Sequence, residues 1–314
     1  PTESWIVSVK VLVTGAHGLL GRSLVEAADK SVDILTCGRR DEPVGGSYSK
    51  LDLSDPVALN HFLAKKKPDW VIHTAAWTDV DGCEGNPSMA RRTNLDLVQN
   101  LVEISSTLAV RVVQLSTDYV FDGRKGPYAE DDKPHPLSHY GRIKLESEQA
   151  VLVGEPGGLV VRTLWLYGHT KGVRRNLVTW PLEAIANGKA LKIANDQWGN
   201  PTFALDAANA ILELCKKNCR GLYHVGGADF MTRLQLVQKL VSVFGCDETA
   251  MISSVKTADL NQDAVRPLRS GLLTQKLELE LKRPTVGLSE GLARMRSDKV
   301  FRSEFESGLS DATS

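Results

Sequence analysis

Tyr140, Lys144 and Thr117 are the residues whose types and spacing best suit proton-transfer chemistry. Tyr140 and Lys144 are four positions apart, a spacing that places both side chains on one face of a helix. A phenol titrates near pKa ~10, and a nearby cation favours its charged form, so we expect Lys144 to lower the pKa of Tyr140. Tyr140 is then a candidate proton donor to a carbonyl that Thr117 also contacts. The alternative is an exposed pair on a surface helix.

A glycine-rich segment near the start of the chain indicates what these residues act with. The octapeptide Thr14-Gly15-Ala16-His17-Gly18-Leu19-Leu20-Gly21 follows a β-branched run at residues 9–13 and precedes an amphipathic segment. Strand, glycine turn and helix is the arrangement that holds the pyrophosphate of a dinucleotide at a helix N-terminus. We therefore predict cofactor contacts for Gly15, His17, Gly18, Leu19, Leu20 and Gly21.

The end of the second predicted strand, at residues 33–37, bears on the choice of cofactor. Gly38, Arg39 and Arg40 stand where an NAD-specific site usually offers an acid to the ribose hydroxyls. Guanidinium groups suit a 2′-phosphate, so the sequence favours NADP(H) over NAD(H). Asp41 leaves a ribose contact, and therefore dual cofactor use, open.

Further cofactor contacts are expected at the ends of the next two strands. A third strand is predicted at residues 50–53, where Asp52 accepts from the adenine amino group and Leu53 covers its ring. The fourth strand, Trp70–His73, ends in small residues that let a cofactor lie against the backbone, namely Thr74, Ala75 and Ala76. We expect His73, within that apolar strand, to be a core residue.

Strand and helix alternate six times up to a predicted strand at residues 159–166, with a long helix at residues 87–108 among them. This rhythm predicts an α/β fold with a doubly wound parallel sheet of the Rossmann type. We expect residues 1–170 and 203–227 to form a dinucleotide-binding domain, and residues 171–202 and 228–314 a smaller substrate-binding domain. The tail from Met295, rich in charge and Ser, is expected to be partly disordered.

Composition excludes several other classes of protein. Lys plus Arg and Asp plus Glu both number 38, so no net charge attracts nucleic acid or a membrane surface. No apolar run approaches the ~20 residues of a membrane helix, and no signal peptide is evident, so we expect a cytoplasmic protein. The five cysteines, including Cys246, do not form a disulfide pattern. No cluster predicts a metal site.

These residues resemble the extended short-chain dehydrogenase/reductases, and within them the dTDP-4-dehydrorhamnose reductase group, from Val11 to Lys282. Six further motifs carry the resemblance besides the glycine segment: Ala75-Ala76-Trp77-Thr78-Asp79-Val80-Asp81, Ser116-Thr117-Asp118-Tyr119-Val120-Phe121-Asp122-Gly123, Tyr140-Gly141-x-x-Lys144, Arg162-Thr163-x-Trp165-x-Tyr167-Gly168, Asp196-Gln197-x-Gly199-x-Pro201-Thr202 and Arg266-Pro267-x-x-Ser270.

The resemblance implies that NADPH reduces the C4 ketone of a 4-keto-6-deoxy sugar nucleotide. Tyr140 would give the proton, while Lys144 would hold the nicotinamide ribose and Thr117 would polarise the carbonyl. It also implies cofactor contact by Leu166 and substrate contact by Thr117, Asp118 and Trp165. Family members are often dimers, and some are reported with magnesium. Four arginines are candidates for a substrate diphosphate, with solvated surface charge as the alternative: Arg174, Arg175, Arg266 and Arg269.

Two other classes of protein have motifs similar to these. The β subunit of methionine adenosyltransferase resembles the same group and keeps the Tyr and Lys, so a non-catalytic, NADP-binding regulatory subunit is an alternative. Sugar-nucleotide dehydratases typically have Asp-Glu after the Thr, whereas Tyr119 stands at the Glu position here. Trp77, in place of a commoner Tyr or His, leaves the sugar open.

Overall fold

The computed structural model describes residues 8–154, 157–245 and 252–310, with the backbone alone for 305–310; Cys246 lies outside these ranges. Its strands are β1 (Val9–Thr14), β2 (Val32–Gly38), β3 (Ser47–Lys50), β4 (Trp70–His73), β5 (Arg111–Thr117), β6 (Leu159–Thr163), β7 (Leu166–Tyr167), β8 (Leu191–Ala194), β9 (Trp198–Gly199), β10 (Thr202–Phe203), β11 (Gly221–Val225), β12 (Met231–Thr232) and β13 (Ile252–Val255). Its helices are α1 (Leu19–Ala27), α2 (Pro56–Lys66), α3 (Val80–Gly85), α4 (Pro87–Arg91), α5 (Leu97–Thr107), α6 (His139–Val153), α7 (Thr179–Ala186), α8 (Ala204–Lys216), α9 (Arg233–Phe244), α10 (Gln275–Leu281), α11 (Leu288–Ser297) and α12 (Lys299–Ser310).

Seven of the strands form one sheet in the order β11-β6-β5-β4-β1-β2-β3, and every neighbouring pair is parallel. The chain runs outward from β1 through β2 and β3, then returns to the other side of β1 as β4. Such a reversal opens a crevice at the carboxyl ends of the strands, where ligands of doubly wound sheets bind. The predicted doubly wound parallel sheet is confirmed.

Helices cover both faces of this sheet, which explains why its strands are apolar runs in the sequence. Side chains alternate across a strand, so Val11 packs with α1 and α8 while its neighbour Leu12 packs with α2 and α5. A second apolar cluster joins α7, β8, α9 and α11 around Leu182, Leu240 and Leu292. The division into two domains stays a prediction.

The third predicted strand is displaced. Residues 50–53 were expected to be extended, but β3 is Ser47–Lys50. The Asp52 carboxylate accepts from the backbone N–H of Ser54, at 3.0 Å, and from its hydroxyl, at 2.8 Å. This local turn competes with strand pairing and leads into α2, which Asp55 caps and Pro56 begins.

The sixth predicted strand is wrong in its second half. The run at residues 159–166 divides into β6 and the short β7 because Trp165 between them has a left-handed backbone, with φ of 44°. Apolar composition carries no sign of such a residue. The break removes Trp165 from the sheet and makes its side chain available at the carboxyl edge.

The chain also differs from expectation in its helices. The helix expected at residues 87–108 consists of α4, a π-helical turn at Arg92–Asp96, and α5. Within the tail from Met295, expected to be partly disordered, Lys299–Ser310 form α12, whose Phe301 is fully buried in the second apolar cluster. The last four residues of that tail lie outside the described ranges. In the described part of the chain, no helix combines the length and apolarity that crossing a bilayer requires.

Candidate active site

A pocket of about 820 Å³ opens along the carboxyl edge of the sheet. Its lining follows the strand order, because a pocket residue lies at or just after the carboxyl end of each of β2, β1, β4, β5 and β6. These residues are, in turn, Arg40, Gly18, Thr74, Thr117 and Trp165. We call one side the glycine-loop end, formed by residues 17–21 with Arg40, Thr74 and Ala76. The opposite side, formed by Asp81, Asp118, Tyr119, Trp165, Arg233 and Arg266, is the Trp165 end.

The glycine-loop end is built by close backbone approach. Gly15 has φ of 68°, and a Cβ there would lie 2.6 Å from the backbone N of Ala75. A Cβ on Gly21 would lie 2.7 Å from the Gly15 carbonyl oxygen. Gly15 and Ala75 therefore support the loop from beneath, while residues 17–21 line the pocket.

The start of α1 fits the pyrophosphate of a dinucleotide. The N-cap residue is Gly18, which offers no side chain to the first-turn N–H groups. Those groups have no partner within the helix, and they face the pocket next to the positive end of the helix dipole. This donor set suits a phosphate group.

Arg39 and Arg40 have different positions at the glycine-loop end. Arg40 lines the pocket, and its carbonyl accepts from the Tyr48 hydroxyl at 2.5 Å. Arg39 is exposed and is not among the lining residues. Asp41, the alternative ribose acceptor, is paired with the Lys50 ammonium at 2.8 Å.

Two of the predicted adenine contacts do not reach the pocket. Asp52 is engaged by Ser54, and Leu53 packs into the core with Leu59 and Leu63. The displaced third strand explains this difference, because the turn at Asp52 directs Leu53 inward. Thr74 and Ala76 do line the pocket, and the Thr74 hydroxyl donates to the Thr14 carbonyl at 2.6 Å.

Tyr140 and Lys144 meet Thr117 on one wall of the pocket. The Ser138 hydroxyl accepts from the Gly141 N–H at 3.2 Å and so starts α6 just before Tyr140. A Cβ on Gly141 would lie 2.3 Å from the Tyr119 carbonyl oxygen, so glycine lets α6 press against the turn at the end of β5. The Tyr140 and Thr117 hydroxyls consequently interact. The surface-pair alternative is wrong, because Tyr140 is 8% exposed and Lys144 lies among the buried residues.

The expectation that Lys144 lowers the pKa of Tyr140 is wrong. Burial, followed by the influence of Tyr119 and Asp118, raises the pKa of Tyr140 above its usual value. Burial also lowers the pKa of Lys144 to about 8, although the Glu148 carboxylate raises it. The sequence predicted that the two side chains share a helix face, but it did not reveal that burial raises the pKa of Tyr140.

A buried ion pair lies close to Lys144, and the carboxylate of that pair raises the pKa of Lys144. Arg162 of β6 makes two hydrogen bonds to Glu148, at 2.8 and 2.7 Å, one helical turn beyond Lys144. The Ser116 hydroxyl donates to the same carboxylate. His73 is buried beside this region as expected, and burial lowers its pKa to about 3. Its Nδ1 lies 2.8 Å from the Thr14 hydroxyl.

The Trp165 end is assembled from residues far apart in the chain. Asp118 is fully buried, and its carboxylate accepts from the hydroxyls of Thr117 and Ser270. Arg266 binds Asp81 through two hydrogen bonds, at 2.9 and 2.6 Å, and thereby ties the segment after β13 to α3. Ser270 and Arg266 belong to the last of the sequence motifs. Their hydrogen bonds to Asp118 and Asp81 bring that motif to the site.

The four arginines proposed for a diphosphate have different surroundings. Arg266 is paired with Asp81, Arg175 with Glu183, and Arg269 donates to the Gly126 carbonyl while lying over the rings of Trp198 and Phe230. Only Arg174 and Arg266 of the four line the pocket.

Arg233 is among the pocket residues that sequence reasoning missed. Its guanidinium lies 5.2 Å from the centre of the Trp165 ring. It follows the N-cap Thr232 of α9, a position that marks a helix start and gives no hint of a ligand. Leu166, by contrast, lines the pocket as predicted.

Comparison with protein families gives a match over most of the chain. The family model described as RmlD substrate binding domain matches residues 9–300. A probable low-salt glycan biosynthesis reductase of Haloferax volcanii is 34% identical over 300 residues, which cover 91% of this chain and 96% of the relative. A dTDP-4-dehydrorhamnose reductase of Sinorhizobium fredii is 33% identical, over 86% and 90% respectively. Methionine adenosyltransferase 2 subunit beta of Bos taurus is 30% identical, over 93% and 90%.

Solved structures agree with this match. A dTDP-4-dehydrorhamnose reductase from Bacillus anthracis, in complex with NADP, superposes with a TM-score of 0.83 at 27% identity, over 92% of this chain and 98% of that one. MoeE5 in complex with UDP-glucuronic acid and NAD gives a TM-score of 0.78 at 26% identity, over 90% and 96%. Structures with this fold therefore bind either nicotinamide dinucleotide.

Proposed function

The chain belongs to the RmlD substrate binding domain family, and from that premise we propose that it reduces the C4 ketone of a 4-keto-6-deoxy sugar nucleotide with NADPH. It is an oxidoreductase whose named relatives include reductases of sugar nucleotides. The observation that carries the proposal is the meeting of Thr117, Tyr140 and Lys144 on one wall of a pocket that also contains the glycine loop.

The residues of this wall have distinct tasks in such a reaction. Bound NADPH supplies a hydride to the carbonyl carbon. Tyr140 stays protonated at neutral pH because burial raises its pKa, and its O–H then protonates the far more basic alkoxide oxygen. Thr117 orients that oxygen, and the Lys144 ammonium stabilises the phenolate that Tyr140 becomes.

The cofactor preference rests on Arg40. A 2′-phosphate at the end of β2 would meet an exposed guanidinium there, since Asp41 is occupied by Lys50. Cofactor contacts are proposed for the backbone of residues 17–21, Thr74, Ala76, Lys144 and Leu166. Substrate contacts are proposed for Thr117, Asp118 and Trp165.

The direct test follows NADPH absorbance in the presence of dTDP-4-keto-6-deoxyhexoses. We expect oxidation of NADPH by the wild-type protein and a fall in kcat/KM of roughly 10²–10⁴-fold in Tyr140→Phe, with NADPH affinity retained. Tyr223→Phe, which alters a buried phenol on β11, is the matched control and should keep full activity. Unchanged turnover in Tyr140→Phe would reject the mechanism.

A regulatory subunit is the second candidate, because the bovine methionine adenosyltransferase subunit covers the chain as fully as the reductases do. In that case the protein would bind NADP, leave every keto-sugar nucleotide unreduced, and change the activity of a methionine adenosyltransferase. Turnover on any member of a keto-sugar panel decides for the reductase.

A further inference from the structure

Arg233 has a fixed position at the Trp165 end. Its backbone N–H donates to the Gln197 carbonyl at 3.1 Å, and β12 before it pairs with β9. Thr232 and Gln235 form a capping box around the start of α9. The guanidinium lies over the Trp165 ring, whose face attracts a cation.

The charge of Arg233 has no counter-ion in the described residues. Its Nε is buried without a hydrogen-bond partner, and no carboxylate of the described chain lies within 4 Å of its guanidinium. Asp118, whose charge acts on Arg233, instead accepts from two hydroxyls. Burial lowers the pKa of Arg233, but a guanidinium keeps its proton in proteins.

Three other arginines that are withdrawn from water are neutralised. Arg162 is bound by Glu148, Arg266 by Asp81, and Arg283 by both Asp206 and Glu213. Like Arg233, Arg22 and Arg111 have no ion pair within the described residues, but neither lines the pocket. A charge taken partly out of water is costly unless it is paired. Arg233 therefore has the features of a ligand-binding cation, because the missing partner would have to come from the pocket.

We propose that Arg233 binds an oxyanion of the ligand that occupies the Trp165 end. The group is a phosphoryl of the nucleotide diphosphate or a carboxylate on the sugar, since the planar guanidinium matches both. This inference rests on the proposed function, because it assumes that a sugar nucleotide is the ligand. It adds Arg233 to the residues that determine which sugar nucleotide binds.

The test measures dissociation constants by calorimetry for thymidine, dTDP, UDP-glucose and UDP-glucuronic acid. In Arg233→Met we expect dTDP to bind at least about tenfold more weakly, with thymidine unchanged, if the diphosphate is the partner. If the carboxylate is the partner, dTDP binds equally and the preference for UDP-glucuronic acid over UDP-glucose is lost. Arg233→Lys keeps the charge without the fork, so its losses should be smaller.

Arg111→Met is the matched control. Arg111 also lies over an indole ring, 4.5 Å from the centre of Trp70, but at the opposite edge of the sheet. We expect its dissociation constants to equal those of the wild type. Loss of an unpaired charge should not lower the Tm of Arg233→Met, whereas loss of a merely structural contact would.

The outcomes separate the two proposals. If the wild type binds these nucleotides and Arg233→Met binds all of them equally well, the role of Arg233 is overturned and the proposed function stands. If the wild type binds none of them, the proposed function is contradicted together with the inference.

Discussion

The two ends of the pocket are built on different physical principles. At the glycine-loop end, backbone segments pack so closely that a Cβ on Gly15 or Gly21 would overlap neighbouring backbone atoms. At the Trp165 end side chains form the surface, through pairs such as Asp118 with Ser270 and Asp81 with Arg266, which are 152 and 185 residues apart. The first end depends on local conformation, and the second on the assembly of the whole chain.

The largest expected effect comes from adding a side chain to the glycine loop. Gly15→Val should weaken NADPH binding by at least ~100-fold, because it combines a left-handed backbone, costing about 1–2 kcal/mol, with overlap on Ala75. Binding of dTDP at the Trp165 end should remain. Calorimetry with each ligand measures both.

Gly188→Val is the control for this change. Gly188 has nearly the same backbone, with φ of 63°, but nothing within 4 Å of its Cβ position. It should bind NADPH as the wild type does. Comparable losses in the two variants would mean that backbone strain, and not close approach, matters at Gly15.

Removing the ion pair between Asp81 and Arg266 should weaken ligand binding at the Trp165 end. Asp81→Ala leaves Arg266 unpaired, with the Arg266 side chain 9% exposed, and removes the acceptor for the Ala264 N–H. We expect sugar-nucleotide affinity to fall by roughly 10–50-fold while NADPH affinity stays within about twofold.

Asp29→Ala, which breaks the more exposed pair with Lys216, should alter neither affinity. An equal loss of both ligands in Asp81→Ala would show that the two ends are not independent. Calorimetric titration of each variant with dTDP and with NADPH distinguishes the outcomes.

The pH dependence of activity tests Lys144, a pocket residue that belongs to neither of the two ends. Its pKa is lowered to about 8, so the ammonium is present below pH 8 and lost above it. We expect kcat/KM to fall by about tenfold per pH unit above that value, as for one essential protonated group. A profile from pH 6 to 10 measures this.

Lys144→Arg separates the charge from the titration. Its guanidinium keeps its proton throughout this range, so any residual activity should show no decline near pH 8. The same decline in Lys144→Arg would assign the titration to another group.

The smallest effect is expected at the exposed arginines. Arg40→Ala should reduce the preference for NADPH over NADH by roughly 5–20-fold, since a solvated charge contributes modestly to phosphate binding. Arg39→Ala should have less effect, because Arg39 does not line the pocket. Equal losses for both cofactors in Arg40→Ala would contradict a 2′-phosphate contact.

Local patterns predicted the fold well where each strand and helix carries its own signal. The glycine segment and the apolar strands could be predicted because turns and periodicity depend on residues close together in the chain. The third strand was misplaced because the Asp52 turn competes with pairing, and the break at Trp165 was missed because a left-handed residue leaves no apolar signature.

The sequence by itself determined the alternating architecture, the phosphate-binding loop and the helical spacing of Tyr140 and Lys144. Each depends on interactions between residues close in the chain. Only the tertiary structure decided that burial raises the pKa of Tyr140, that Arg266 is neutralised by Asp81, and that Arg233 is not. Desolvation and ion pairing depend on which distant side chains share a cavity, and chain order does not specify that.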